Sequence, residues 1–324
     1  MTDKILVKGN NWLGDSVMSL PMLRSLREMQ PRARITVLTK SVFADLYRGV
    51  PWVDEVIPHE RDGLGTWIGT VRELRRRKFD AAIVLPRSFS AAFLAWSARI
   101  PRRIGYPTDG RRAFLTEAPE PLACRRHRVH HIHNLLSALG EPPPVRAPRL
   151  EIQADAADWA EAKLPGDSWI GINPGATYGI AKQWFPDRFS ELGRRLSSRG
   201  RIVVTGGPAE AALGERIARA TGGVNLSGKT DISQLAAVIA RCRLFISNDT
   251  GPMHVADAVG VPIVAVFGPT DWIVTPPFGK KHALVRHEVD CSPCLRRTCP
   301  LGHHDCMKRV VVTEVERACK ERLG

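Results

Sequence analysis

Short apolar runs alternate with helical stretches along almost the whole chain, and this alternation limits the fold more than any other feature of the sequence. KILV, RITVLT, AAIVLP and RIGY in the first half read as buried strands, as do WIGINPG, RIVVTGG, GGVNLSG, CRLFISND and PIVAVFG in the second. Stretches such as 16–29 and 64–77 between them read as helices. A strand that is apolar without alternation is covered on both faces, as in a parallel sheet flanked by helices. Residues 141–150, EPPPVRAPRL, hold four prolines, more than a helix or central strand tolerates. They are expected to close a first domain, 1–150, and lead into a second, 151–324.

The expected class is therefore α/β, with two Rossmann-like domains whose parallel sheets face a central cleft. A chain of 324 residues is ample for two such cores. No apolar run approaches the roughly 18 residues of a membrane-spanning helix. The start, MTDKILVKGNNW, has too short an apolar stretch for a secretory signal, so a cytosolic location is expected. The net charge of +14 is uneven: residues 1–150 hold 25 Lys and Arg against 14 Asp and Glu. A basic first half suits a polyanionic partner, whether nucleic acid, an anionic membrane or a phosphorylated substrate. Nucleic acid is disfavoured, because no motif for it is present and the aromatic residues, 6% of the chain, are not interleaved with the basic clusters.

Ligands of open α/β sheets bind at the carboxyl ends of the strands. In NDTGPMH a strand runs into Asp249, Thr250 and Gly251, and a helix begins near Pro252. Its free N–H groups and positive end would hold a diphosphate, with His254 in the first turn as a further donor. In NPGATYGIAKQW, Thr177 offers a hydroxyl, and Lys182 can neutralise a diphosphate or be one solvated lysine among many. In TGGPAE, Glu210 can accept from ribose hydroxyls or complement a helix dipole. The opening turn has neither a dinucleotide fingerprint nor a P-loop, and the chain has no D-x-D stretch to hold a nucleotide through a metal.

In that opening turn, NNWLGD, Asp15 reads as a helix N-cap accepting backbone N–H bonds. Such bonds favour the ionised carboxylate, which is also the state a general base needs, so cap and base are compatible. Near the other end, Cys291, Cys294, Cys299 and Cys306 form a Cys-rich loop, 291–306, ahead of a last helix at 313–322. Four thiolates there would bind a structural zinc, or less readily an iron–sulfur centre; reduced thiols or two disulfides are the alternatives.

Taken together, WLGDSVMSLPML, NPGATYGIAKQW and NDTGPMHVADAVGVPIVAVFGPTD resemble the ADP-heptose:lipopolysaccharide heptosyltransferases, glycosyltransferase family 9, over essentially the whole chain. The first two are most similar to the heptosyltransferase II group, except that Ile180 stands where that group usually has Pro. The resemblance implies a GT-B fold with the acceptor bound by the first domain and the ADP-sugar by the second. It implies inverting transfer of L-glycero-D-manno-heptose to the first heptose of a phosphorylated Kdo–lipid A core, with no cofactor required. Asp15 then matches the base and Lys182 the lysine at the diphosphate. Asp249, Thr250, Gly251 and His254 match the donor motif, with Thr177 and Glu210 looser. An anionic lipid acceptor at the inner leaflet of the inner membrane would account for the basic first half. Candidate acceptor contacts are Asn11, Trp12, Arg87, Ser88, Arg102, Arg103, Arg111, Arg112 and the basic stretch 124–134, whereas RRRK at 75–78 reads as a solvated helix face. Heptosyltransferases of other types, other nucleotide-sugar transferases of the same fold and, distantly, a basic nucleic-acid-binding protein are the alternatives.

Overall fold

The computed structural model describes residues 3–60, 63–123 and 125–324. The chain divides into two compact units, with the boundary between Pro148 and Arg149.

In the first unit, β1 (Lys4–Lys8), β2 (Arg34–Thr39), β3 (Glu55–Pro58), β4 (Ala81–Val84) and β5 (Arg102–Ile104) form one parallel sheet in the order β3-β2-β1-β4-β5. Ile5, Leu6 and Val7 of the central strand are all buried, as a strand covered on both faces must be. One core on this sheet joins Leu6, Leu38, Ala82 and Val84 to Val71 and Leu74 of the helix Gly63–Arg77 and to Leu94 of the helix Phe89–Ser97.

In the second unit, β6 (Trp169–Asn173), β7 (Arg201–Val204), β8 (Val224–Asn225), β9 (Cys242–Asn248), β10 (Ile263–Val266) and β11 (His282–Val285) pair in parallel in the order β11-β10-β9-β6-β7-β8. Its core includes Ile170, Ile172, Ile246, Val264, Trp184, Phe189 and, from the final helix Val312–Leu323, Val315 and Cys319.

The architecture departs from the sequence reading in two places. The single helix expected over 16–29 is two helices, Leu13–Met18 and Leu20–Met29. Pro21 lacks an N–H and fits only a first turn, so the chain restarts there, and the Ser19 hydroxyl donates to the Ser16 carbonyl at 2.7 Å across the break. The edge strands β3 and β11 have no counterpart in the expected set. Each has only four residues, and seven of the eight are half-buried or exposed, as an edge strand allows.

Candidate active site

In the first unit β1 leads into Gly9, Asn10, Asn11 and Trp12. Trp12 has an extended backbone (φ −126°, ψ 141°) and is the residue before the helix Leu13–Met18. Asp15 therefore lies inside the first turn and is not the N-cap, which corrects the sequence reading. Asn10 Nδ2 donates to the Asp15 carbonyl at 3.1 Å and holds the turn shut. The Asp15 carboxylate is turned outward, where Arg128 Nε lies 3.2 Å from it.

Arg128 opens the helix Arg128–His133, and His131 stands three residues on, on the same face. Asp15, Arg128, His131, Arg87 and Tyr106 share the wall of a cavity of about 170 Å³. The Arg87 guanidinium lies 5.7 Å from the Tyr106 ring centre. Burial, then the charge of Arg128, lowers the pKa of Arg87. Burial, then Arg87 and Arg128, lowers that of His131. Arg87, Arg128 and His131 thus stand around a single carboxylate among the described walls of this cavity, a setting in which an anion is attracted. A second cavity, about 230 Å³, shares Asn11, Pro86 and Ser88 with the first and adds Lys8, His59 and Trp67.

The arginines expected at the acceptor separate into two groups. Arg87 lines the cavity with Ser88, Asn11 and Trp12. Arg102 is paired with Glu117 and donates to the Ala138 carbonyl at 2.6 Å. Arg103 donates to the Phe114 and Pro101 carbonyls at 2.7 and 3.0 Å. Arg112 donates to the Leu115 carbonyl at 3.0 Å. Arg111 is fully buried, donates to the Tyr106 carbonyl at 2.8 Å and to the Pro86 carbonyl, and is pushed down to about 10 by burial. Arg111 thus supports the loops that carry Arg87 and Tyr106. Arg128 and His131 entered the sequence reading only as members of the basic stretch 124–134, of which Cys124 lies outside the described residues. Their i, i+3 spacing on one helix face was the available signal.

In the second unit the loops after β6, β7 and β9 converge. Asn248, at the end of β9, donates to the Pro174 and Gly175 carbonyls at 2.9 and 3.1 Å and accepts from the Trp184 N–H at 3.0 Å. Trp184 is fully buried, and its Nε1 donates to the Val310 carbonyl at 3.0 Å. These bonds pin both ends of the segment carrying Lys182. Lys182 Nζ then sits 3.0 Å from the Asp249 carboxylate, with side-chain exposures of 13% and 5%, and 5.4 Å from the Tyr178 ring centre. It is not a solvated lysine. Thr250 precedes the helix Gly251–Ala258, but its hydroxyl reaches Asn173 and Ser247, both at 3.3 Å, and does not cap that helix. His254 is buried in its first turn, and Thr177 is exposed. The Glu210 carboxylate accepts from the Gly207 N–H at 2.8 Å and lies over Gly175. A Cβ on Gly175 would meet Glu210 Oε1 at 1.7 Å, so only glycine admits the carboxylate there.

The Cys-rich segment packs on the Lys182 loop. Ala181 N–H donates to the Arg297 carbonyl at 3.0 Å, the Tyr178 hydroxyl donates to the Leu295 carbonyl at 3.1 Å, and His304 Nε2 lies 2.8 Å from the Ala181 carbonyl. Cys291, Cys294, Cys299 and Cys306 line a cavity of about 20 Å³ with His303 and His304. Burial, then the three other cysteines, pushes the Cys306 thiol up to about 11. Among the described residues, however, no group of three or more His, Cys, Asp or Glu side chains is arranged to hold a metal ion. The zinc or iron–sulfur site expected there therefore finds no support. Cys306 is buried on the helix Asp305–Lys308 while the other three thiols lie half-exposed on the loop, and the segment buttresses Lys182 through its backbone.

Residues 67–304 match the profile of glycosyltransferase family 9 (heptosyltransferase). Lipopolysaccharide heptosyltransferase 2 of Salmonella typhimurium is 32% identical over 310 residues, covering 87% of this chain and 88% of that protein. Lipopolysaccharide heptosyltransferase 1 of Pseudomonas aeruginosa is 26% identical over 313 residues, covering 91% and 87%. The structure of Escherichia coli ADP-heptose lps heptosyltransferase II superposes with a TM-score of 0.85 at 28% identity, covering 99% of this chain and 98% of that one.

Proposed function

The chain belongs to glycosyltransferase family 9, the heptosyltransferases, and on that premise we propose that it moves L-glycero-D-manno-heptose from ADP-heptose to the first heptose of the lipopolysaccharide inner core. The type II assignment rests on the likeness to a heptosyltransferase 2 at 32% identity, against 26% for a heptosyltransferase 1. The observation that carries the donor side is the seat of Lys182 against Asp249, next to the start of the helix Gly251–Ala258.

In this reading the acceptor hydroxyl attacks the anomeric carbon as the bond to ADP breaks, with inversion. Asp15 takes the hydroxyl proton in the transition state. Lys182 and the first-turn N–H groups of the helix stabilise the charge that develops on the ADP leaving group, so transfer requires no metal. Asp249 holds Lys182 in place; Thr250, Gly251 and the buried His254 shape the helix start. Glu210 accepts from the ribose hydroxyls, and Thr177 adds a hydroxyl at the loop edge. On the acceptor side Arg87, Arg128 and His131 take the acidic groups of a phosphorylated Kdo–lipid A core. An acidic group that engages Arg128 also releases Asp15 from its ion pair, and so readies the base only when acceptor is bound. Because that acceptor is a lipid, the enzyme works at the cytoplasmic face of the inner membrane, bound peripherally. Among the described residues no helix is long and apolar enough to cross a membrane.

The test is transfer from ADP-heptose to defined acceptors with and without the first core heptose. Only the mono-heptosylated acceptor should be used; failure to use it would overturn the type II assignment. Asp15→Asn should bind ADP-heptose like the wild type and transfer about 100-fold or more slowly. Normal turnover by that variant would remove Asp15 from the mechanism.

A further inference from the structure

Near the acceptor-side cavities the first unit carries an aromatic surface that the proposed chemistry does not use. Phe89, Phe93 and Trp96 recur at i, i+4 and i+7 along the helix Phe89–Ser97, so they form one stripe. The sheet core takes the other side of this helix through Ala91, Leu94 and Ala95. The stripe is joined by Trp67 and Phe114. Phe93 stacks on Trp67, Phe89 and Trp96 at centroid distances of 5.6, 5.9 and 5.6 Å, and Phe114 meets Phe89, Phe93 and Trp96 edge-on at 5.0–5.4 Å. A cluster of this size is normally interior, yet Phe89 is 44% and Trp96 47% exposed, and Leu64 nearby in sequence to Trp67 is 73% exposed.

Beside Trp96 lies a cavity of about 380 Å³ whose described walls are Arg75, Trp96, Ser97, Arg99 and Arg103, three cations and no carboxylate. The backbone fixes two of these cations: Arg75 Nε donates to the Ser97 carbonyl at 2.8 Å, and Arg103 donates to the Phe114 and Pro101 carbonyls. Carbonyl partners orient a guanidinium and leave its charge uncompensated. Burial lowers the pKa of Arg103, in keeping with a cation that lacks a counter-ion.

We infer that this face docks on an anionic phospholipid bilayer, with Trp96 and Phe89 in the headgroup–acyl boundary and a lipid phosphate in the Arg75–Arg99–Arg103 notch. Three observations single out this occupant. Amphipathic aromatic rings favour the membrane–water boundary. The described walls of the notch carry three cations, and their charge complements acidic headgroups. The helix stripe also borders the cavity lined by Trp67, Ser88 and Ala91, so a lipid-borne acceptor would reach that cavity without leaving the surface. Arg75, expected from the sequence on a solvated helix face, becomes part of the docking surface. The inference deepens the proposed function and rests on its lipid acceptor.

The full chain is sedimented with phosphatidylcholine vesicles, with and without phosphatidylglycerol. The wild type should bind the anionic vesicles and leave the neutral ones. Trp96→Ser should weaken binding about 10-fold, and Arg99→Gln about 5-fold. Ile273→Ser, which alters an exposed apolar side chain of the second unit, should not change it. Equal binding to both vesicle types, or wild-type binding by Trp96→Ser and Arg99→Gln, would overturn the inference. Heptosyl transfer to a delipidated, water-soluble acceptor is measured on the same proteins and should match the wild type, which shows the variants are folded. That assay also separates the two proposals: a wild type that transfers heptose but does not bind anionic vesicles defeats the docking face alone, and absent wild-type transfer defeats the proposed function.

Discussion

Replacing Lys182 by Met should unfold the second unit more easily before it says anything about catalysis. Lys182 and Asp249 are 3.0 Å apart, and their side chains are only 13% and 5% exposed. Methionine keeps the volume and removes the charge, which leaves the Asp249 carboxylate buried without its cation. Breaking a buried pair from one side costs about 3–5 kcal/mol. For a unit of this size about 1 kcal/mol moves the melting temperature by about 2–4 °C, so the second unit should melt about 6–20 °C lower. Asp249→Asn in the same background removes the stranded charge, and the double variant should regain most of the loss. The assay is calorimetric melting of the four proteins of this cycle without ligand, followed by transfer rates. If the lysine also stabilises the leaving group, the double variant recovers stability and stays inactive. A Lys182→Met protein melting within about 1 °C of the wild type, or a double variant no more stable than the single, would refute the reasoning.

Three further outcomes follow from the same geometry. Arg128→Ala should raise KM for an acidic acceptor about 10- to 150-fold while changing KM for ADP-heptose little, because a desolvated charge contact of this kind is worth about 1.5–3 kcal/mol; equal effects on both would place Arg128 elsewhere in the mechanism. Gly175→Ala should raise KM for ADP-heptose, since its Cβ displaces the Glu210 carboxylate, and Glu210→Ala in that background should restore the fold but not the affinity; steady-state kinetics and thermal melts distinguish these. Burial, the largest cause, lowers His130, His131 and His133 from 6.5. Below pH 6.5 the unfolded chain then binds protons that the folded one refuses, so the stability these histidines lend at neutral pH should fall as pH drops through 6.5 toward their folded values. His133, whose Nε2 lies 2.9 Å from the Ser25 hydroxyl, is the most buried of the three, and His133→Gln should flatten the melting temperature between pH 7 and 5; an unchanged slope would exclude it.

The amino-acid sequence alone determined the two parallel α/β units, the short strands, and the strand-end loops that carry the candidate site. Those features rest on local signals: uninterrupted apolar runs, glycine and proline at the turns, four prolines before the second unit. The positions of Asp15, Lys182 and the NDTG turn were legible for the same reason, since each lies in the segment that follows a strand. Partners were not legible. Lys182 finds Asp249 across 67 positions, and Arg128 finds Asp15 across 113. Nothing local tells Arg87, which lines a cavity, from Arg111, which is fully buried and holds backbone carbonyls. The cysteine spacing likewise suited a metal, while the folded segment uses its carbonyls to hold the Lys182 loop. A charged side chain is committed by whichever counter-charge or carbonyl the fold brings within about 3 Å, and that choice is made between segments far apart in the chain, where periodicity and turn chemistry carry no information.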